Sequence, residues 1–214
     1  MPRLTLLEPV GGRGETIRVH LDGEPRCTLP LAAVREMGLE EGSELSAGEA
    51  ERVLTEGRFR EAMDRALDYL SYRSRSRAEL ERHLRGKGWE GPVVERVVAR
   101  CRELDYLDDR AFAQSWVRDR IRLKPRGRFR LLRELKKKGV SEADAEAAID
   151  RAFREEGVTE RELLERAARK RWDGRRTDDP RTLRRRLWGY LRRRGFRSHE
   201  IRDVVDELMR ELDG

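Results

Sequence analysis

The side chains of this chain whose type and spacing could do chemistry are cations. One string occurs three times: an arginine, two residues, a leucine, three residues, a leucine, a basic residue, any residue, a second basic residue and a glycine. It reads Arg77, Leu80, Leu84, Arg85, Lys87, Gly88, then Arg128, Leu131, Leu135, Lys136, Lys138, Gly139, then Arg184, Leu187, Leu191, Arg192, Arg194, Gly195. The glycines lie 51 and 56 residues apart, the length of a small helical unit, which marks the chain as a repeat array. The chemistry open to these residues is anion binding, because guanidinium forks match phosphate and carboxylate oxygens. Local stability is the competing account for the paired cations. Arg85 and Lys87, Lys136 and Lys138, and Arg192 and Arg194 all fall in the last turn before a capping glycine, where the helix dipole favours positive charge by about 0.3–1 kcal/mol.

Arg77, Arg128 and Arg184 sit near the opposite helix end, where positive charge is mildly unfavourable. They point to a phosphate or an acidic partner side chain; a salt bridge to a neighbouring unit is the structural alternative. Arg73 and Arg75 precede the first motif helix, and Lys124 and Arg126, with Arg122 and Arg130 nearby, thicken the same region of the second. Together these arginines and lysines are the candidate contact residues. Nothing comparable supports catalysis. His20, His83 and His199 are isolated, and there is no metal-ligand spacing, nucleophile elbow or phosphate-cradling glycine loop. Asp108 and Asp109 resemble paired carboxylates, but a helix cap accounts for the first and surface solvation for the second. No catalytic residue, metal or cofactor is expected. The aromatic residues Trp89, Phe112, Trp116 and Phe196 follow helical spacing and read as core rather than as platforms for bases.

Charged residues make up 43% of the 214 positions, with a mean hydropathy of −0.87, so an elongated, surface-rich body is expected rather than one compact globule. The charge is uneven: residues 1–60 carry −3 and the remainder +10. A basic domain favours polyanionic partners, although its many acidic residues also build ordinary solvated helix faces. Arginine supplies most of the positive charge, which phosphate recognition and coding bias explain equally well. Cys27 and Cys101 are too few and too far apart for a disulfide framework, consistent with a reducing cytoplasm. No run approaches the roughly 20 apolar residues that span a bilayer, and no signal core opens the chain.

The elements that must hold these cations can be read from periodicity. Leu4–Leu7, Thr16–Leu21 and Arg26–Leu29 read as strands, with Gly11 and Gly12 in a loop and Asp22-Gly23 as a hairpin turn; Leu31–Met37 reads as a short helix stopped by Gly38. Residues 42–47 link this small β-rich module to a helix through Ala50, Val53 and Leu54, and from about Phe59 the period is helical throughout. Ser76 with Glu79 forms a capping box for the first motif helix. Each motif glycine is followed by a second apolar pattern: Val94, Val97, Val98 and Cys101; Ala145, Ala148, Ile149 and Ala152; Ile201, Val204, Val205 and Leu208. Pro92 fits the first turn of one of these helices and Ser141 the cap of another. Asp108 caps a leading helix with Leu107 and Phe112 at the staple positions, and Thr159 with Glu162 opens a further one. The expected fold is therefore mainly α: three tandem three-helix repeats in an elongated array, preceded by a small β-rich N-terminal module. The expected boundaries are 1–58 for the module and 59–108, 109–157 and 158–214 for the repeats.

Ser71-Tyr72-Arg73-Ser74-Arg75-Ser76 with Glu79 and Leu80, the run Leu104 to Ala113 with its Tyr106-Leu107-Asp108-Asp109, and Gly127-Arg128 through Leu135 to Gly139 resemble segments of the RecX family, the bacterial regulators of the RecA recombinase. The resemblance covers roughly residues 60–210, and the leading module resembles an N-terminal extension that many members carry. It implies a cytoplasmic, non-catalytic protein of tandem three-helix units lying along the groove of the RecA filament on single-stranded DNA. It further implies inhibition of strand exchange, ATP hydrolysis and coprotease function. The third unit departs from the pattern, with an insertion at Asp173–Pro180 and with Gly189 and Tyr190 inside its motif helix. The partners expected are the RecA filament and DNA directly, with no membrane, for a chain acting as a monomer. The alternative is a general DNA-binding repeat protein acting without RecA.

Overall fold

The computed structural model describes residues 1–11, 15–172 and 179–213. Three strands, β1 (Leu4–Val10), β2 (Thr16–Leu21) and β3 (Glu24–Pro30), form an antiparallel sheet in the order β1-β2-β3. Alternation places Ile17, Val19 and Leu21 of β2 inward, over a core shared with Leu4, Leu29, Val34, Leu45 and Val53. Asp22 (φ 53°) and Gly23 (φ 82°) both adopt the left-handed region, the geometry of a type I′ turn, which fits the twist of the β2–β3 hairpin. Strands β1 and β3 run farther than the apolar residues alone indicate, past Pro9 and Pro25. Both are edge strands, where a missing N–H is tolerated.

After the short helix α1 (Leu31–Glu36), α2 runs without a break from Ala47 to Ser71. Its start is fixed by a reciprocal capping box, Ser46 Oγ accepting from the Glu49 N–H and the Glu49 carboxylate accepting from the Ser46 N–H. The expected boundary between residues 58 and 59 thus falls inside one helix, because nothing near Gly57 provides a stop. Gly57 is there for packing: a Cβ on it would lie 2.3 Å from Cys27 Cβ, so only glycine lets α2 lie this close to β3. Burial beneath that helix pushes the Cys27 thiol up to about 11.

The remaining helices are α3 (Arg77–Gly86), α4 (Gly91–Glu103), α5 (Asp109–Leu123), α6 (Arg128–Lys137), α7 (Glu142–Glu155), α8 (Glu160–Trp172), α9 (Pro180–Arg193) and α10 (Ser198–Asp213). They fall into two compact units. The first comprises residues 1–74 and 80–107; the second comprises Arg75–Glu79 and the chain from Asp108 onward. In the first, Phe59, Ala62 and Ala66 of α2, Leu80 and Leu84 of α3 and the valines of α4 form one apolar cluster. In the second, α5 to α10 share another, built on Val117, Leu131, Leu135, Ile149, Leu163, Leu164, Leu187 and Leu191. Leu107 is buried with the first cluster and Phe112 with the second, while the Asp108 side chain accepts from the Arg110 and Ala111 N–H groups to cap α5. The insertion between α8 and α9 lies outside the described residues except at its last two positions, Asp179 and Pro180.

Candidate functional site

Each motif helix ends in the same way. Gly88, Gly139 and Gly195 have φ of 92°, 80° and 84°. The next residue's N–H reaches back to the second motif leucine, Trp89 to Leu84 O, Val140 to Leu135 O and Phe196 to Leu191 O, while the glycine N–H bonds the carbonyl of the first basic residue. This is the Schellman arrangement, and it requires a glycine because other residues resist the left-handed region. It also fixes where the second basic residue points.

Lys138 and Arg194 then enter a second pattern. In one junction, Ser76 Oγ, at the cap of α3, donates to the Lys138 carbonyl (2.5 Å), and Lys138 Nζ pairs with Glu79 (2.7 Å). In the other, the Gly127 N–H, at the cap of α6, donates to the Arg194 carbonyl (2.9 Å), and Arg194 Nη1 donates to Pro125 O (2.8 Å). The backbones meet closely at both. A Cβ on Gly139 would lie 2.2 Å from Ala78 Cβ, and one on Gly195 would lie 2.4 Å from Arg130 Cβ and 2.6 Å from its nitrogen. The motif arginines have a related latch. The Arg77 N–H donates to the Asp109 carboxylate (2.7 Å) and the Arg128 N–H to Glu160 (2.8 Å), so Asp109 serves as a helix-end acceptor and not merely as a solvated surface residue. Burial pushes the Glu160 carboxyl up, against the pull of that N–H.

The two junctions differ in charge. At the first, Glu79 is 9% exposed and answers Lys138, whose ammonium also lies 4.1 Å from the Trp116 ring centroid. At the second, Arg130 stands where the first has Glu79. The carboxylate there is Glu134, contacted by Arg130 (2.7 Å), Arg120 (3.3 Å) and Arg126 (3.8 Å). Burial works against ionisation of Glu134, but these three guanidinium groups outweigh it and hold the carboxyl below its ordinary value. Burial, and then the neighbouring Arg194, push the Arg126 guanidinium below its ordinary value. Arg133, Arg192 and Arg193 are exposed beside this group with no carboxylate partner among the described residues. With Arg126, Arg130, Gly195 and the 60% exposed Phe129 they line an open cleft of about 670 Å³.

The structure brings together only part of the candidate set. Arg126, Arg192 and Arg194 converge on the second junction, with Lys138 at the first. Arg128 and Arg184 instead pair within their own repeats, with Asp150 and Asp206, each at 2.5 Å, so an intramolecular salt bridge accounts for both. Arg184 also lies in the second turn of α9, since that helix begins at Pro180. Lys136 pairs with Glu142 (2.7 Å) and Arg85 lies 3.9 Å from Glu81. Arg73 donates to Ser74 O, Lys124 is the exposed residue after α5, and Arg75 is half-buried before α3. Lys87 lines a separate cleft with the stacked pair Tyr69 and His83. Phe129, Arg133 and Arg193 were not among the expected contacts. Alignment of the motifs marks the first of them, because the residue after the motif arginine is alanine, phenylalanine and arginine in turn.

Among the described residues no helix is long and apolar enough to cross a membrane, and no group of three or more His, Cys, Asp or Glu residues could hold a metal ion. Family models for the first, second and third three-helix domains of RecX match residues 62–101, 108–149 and 159–205. The regulatory protein RecX of Prosthecochloris aestuarii is 35% identical over 150 residues, covering 70% of this chain and 95% of that protein. That of Mycolicibacterium smegmatis is 37% identical over 160 residues, covering 73% and 84%. That of Bacillus subtilis is 27% identical over 213 residues, covering 100% and 80%. A crystal structure of a regulatory protein RecX superposes with a TM-score of 0.74 at 24% identity, covering 96% of this chain and all of that one. The RecX structure from Lactobacillus salivarius gives 0.58 at 25% identity, covering 71% and 96%. Three tandem three-helix domains matched in order, with relatives similar over nearly their full length, establish that this chain belongs to the RecX family of regulatory proteins.

Proposed function

We propose that this chain is a non-catalytic regulator that binds the RecA filament on single-stranded DNA and inhibits the ATPase, strand-exchange and coprotease activities that depend on it. Family membership supplies the regulatory role. The observation that carries the binding mode is the second junction, where arginines outnumber their single carboxylate on a scaffold fixed by backbone hydrogen bonds. A preorganised surface of this kind needs no deep pocket, because modest contacts repeated along a filament add through multivalency. The chain acts as a monomer in the cytoplasm in this reading, where its two thiols stay reduced.

The test is RecA ATPase on single-stranded DNA with the purified protein added. Inhibition is expected at protein concentrations that leave bare strand unbound at the same salt. A second reading, DNA binding without RecA, draws on the same arginines, which suit phosphate as well as carboxylate. It requires equal affinity for bare and RecA-coated strands, with a steep salt dependence. Absence of ATPase inhibition together with that equality would replace the filament reading by the DNA one.

A further inference from the structure

The cleft at the second junction pairs two features that the junction itself does not require, although their place in the last turn of α9 gives Arg192 and Arg193 a share in helix stability. One is unanswered charge. Arg133, Arg192 and Arg193 are exposed without a carboxylate partner among the described residues, beside Arg126 and Arg130, which share Glu134 with Arg120. The other is Phe129, 60% exposed at the edge of the same cleft, with the Arg197 guanidinium 5.8 Å from its ring centroid. A ring with more than half its area in water contributes little to the fold, and the exposed Arg197 contact adds no more than about 0.5–1 kcal/mol. By motif alignment the counterpart of Phe129 is Ala78, and at the second junction Gly195 packs against Arg130 rather than Phe129, so neither junction needs an aromatic ring at its contact.

From this we infer that the Arg126–Phe129–Arg133–Arg193 cleft is a single-stranded nucleic-acid subsite, with the guanidinium groups on successive phosphates and one base stacked on Phe129. A volume of about 670 Å³ is of nucleotide scale, within the range of roughly 300–1,000 Å³ usual for ligand sites. A duplex offers the same phosphates but keeps its base faces stacked inside. An acidic peptide offers carboxylates but nothing for the ring. Only an unpaired strand uses both features, which is the combination that single-strand binding surfaces employ. The inference deepens the filament reading and rests on it for the presence of a DNA strand.

The experiment measures binding of a labelled oligothymidylate to the full chain, with an oligoglutamate and a duplex as competitors, across a salt series. Phe129→Ala should weaken oligothymidylate binding by at least about fivefold, the lower end of one lost stack. Phe129→Tyr should restore it, and duplex binding should not change. Arg133→Ala, Arg192→Ala and Arg193→Ala combined should lower the salt slope by about 2, near 0.7 for each lost single-strand phosphate contact. The matching lysine substitutions should keep that slope. Unchanged oligothymidylate affinity in Phe129→Ala, or equal loss of oligoglutamate and oligothymidylate binding, would overturn the inference, the second outcome assigning the cleft to an acidic protein surface. RecA ATPase separates the two proposals. If wild type fails to inhibit while the cleft variants still lose strand binding, the filament reading falls and the cleft stands. If strand binding is untouched, the cleft falls whatever the ATPase shows.

Discussion

The Ser76 and Gly127 junctions are built on one plan and differ in what they do with charge. Each brings a capped helix start against the glycine that ends the next motif helix, and each uses a hydrogen bond to the carbonyl of the second basic residue. At the Ser76 junction the cation is neutralised by Glu79 and covered by Trp116 and Phe112. At the Gly127 junction the acid is replaced by Arg130, and the small Ala78 by Phe129, which leaves positive charge and an aromatic ring facing water. Substitutions at two adjacent motif positions thus separate a joint whose charge is answered from one that leaves cations and a ring in water.

The largest expected effect attacks what the joints share. Gly195→Ala places a methyl group against Arg130 backbone in a left-handed conformation and should destabilise the second unit by about 3 kcal/mol or more. Gly139→Ala should be of similar size, but here the obstacle is one methyl group, so Ala78→Gly should recover much of it. Gly88→Ala meets nothing within 4 Å and should cost only about 1 kcal/mol. Denaturant unfolding with matched m-values ranks the three; equal losses would show that the close approaches are not what holds the joints.

Next comes the charge contrast. Lys138→Met keeps the apolar contacts with Phe112 and Trp116 but takes the ammonium away from the buried Glu79, whose carboxylate still accepts from the Ser76 N–H, and should cost about 2 kcal/mol. Arg194→Met removes a cation that has no carboxylate partner among the described residues and crowds Arg126, so about 1 kcal/mol is expected, from the lost Pro125 hydrogen bond and the Tyr190 ring contact (4.6 Å). A larger loss at Arg194 than at Lys138 would reverse the assignment of answered and unanswered charge. Glu134→Gln should cost about 1–2 kcal/mol at pH 7. Its carboxyl is held low in the folded state, so its contribution is full above the unfolded value of about 4.3 and fades as pH falls through the lower folded value. The gap between wild type and Glu134→Gln should therefore narrow as pH falls below about 4.3, as the carboxyl takes up its proton in both states. A gap that persists there would mean that packing, not charge, sets the loss. Smallest is Phe129→Ala, which should change the unfolding midpoint by no more than about 0.5 kcal/mol allows, as befits an exposed residue.

Much of the fold is legible in the chain itself. The buried leucine pairs, the glycine stops, the caps at Ser76, Asp108, Ser141 and Thr159 and the Asp22-Gly23 turn all follow from local patterns, and the structure has each of them. Local patterns act over four or five residues, which is why they can be read. The place of Gly57 within a continuous α2 is not legible, because its reason is the close approach of β3, which is distant in sequence. The candidate site was legible only in part. Charge and spacing locate the cations, but Arg128 and Arg184 find their aspartates 22 residues away, across a fold that periodicity does not measure. Phe129 lies outside the charge pattern that locates the cations, and its outward position depends on packing that the sequence does not show.

The single shaft of α2 has a mechanical consequence for the first unit. Its 25 residues span about 37 Å, and the one residue at which it would bend most readily, Gly57, is wedged against Cys27. The β sheet is in effect a handle welded to the helix pair that follows. A load applied to that sheet is passed along the shaft to α4, whose valines pack against its second half.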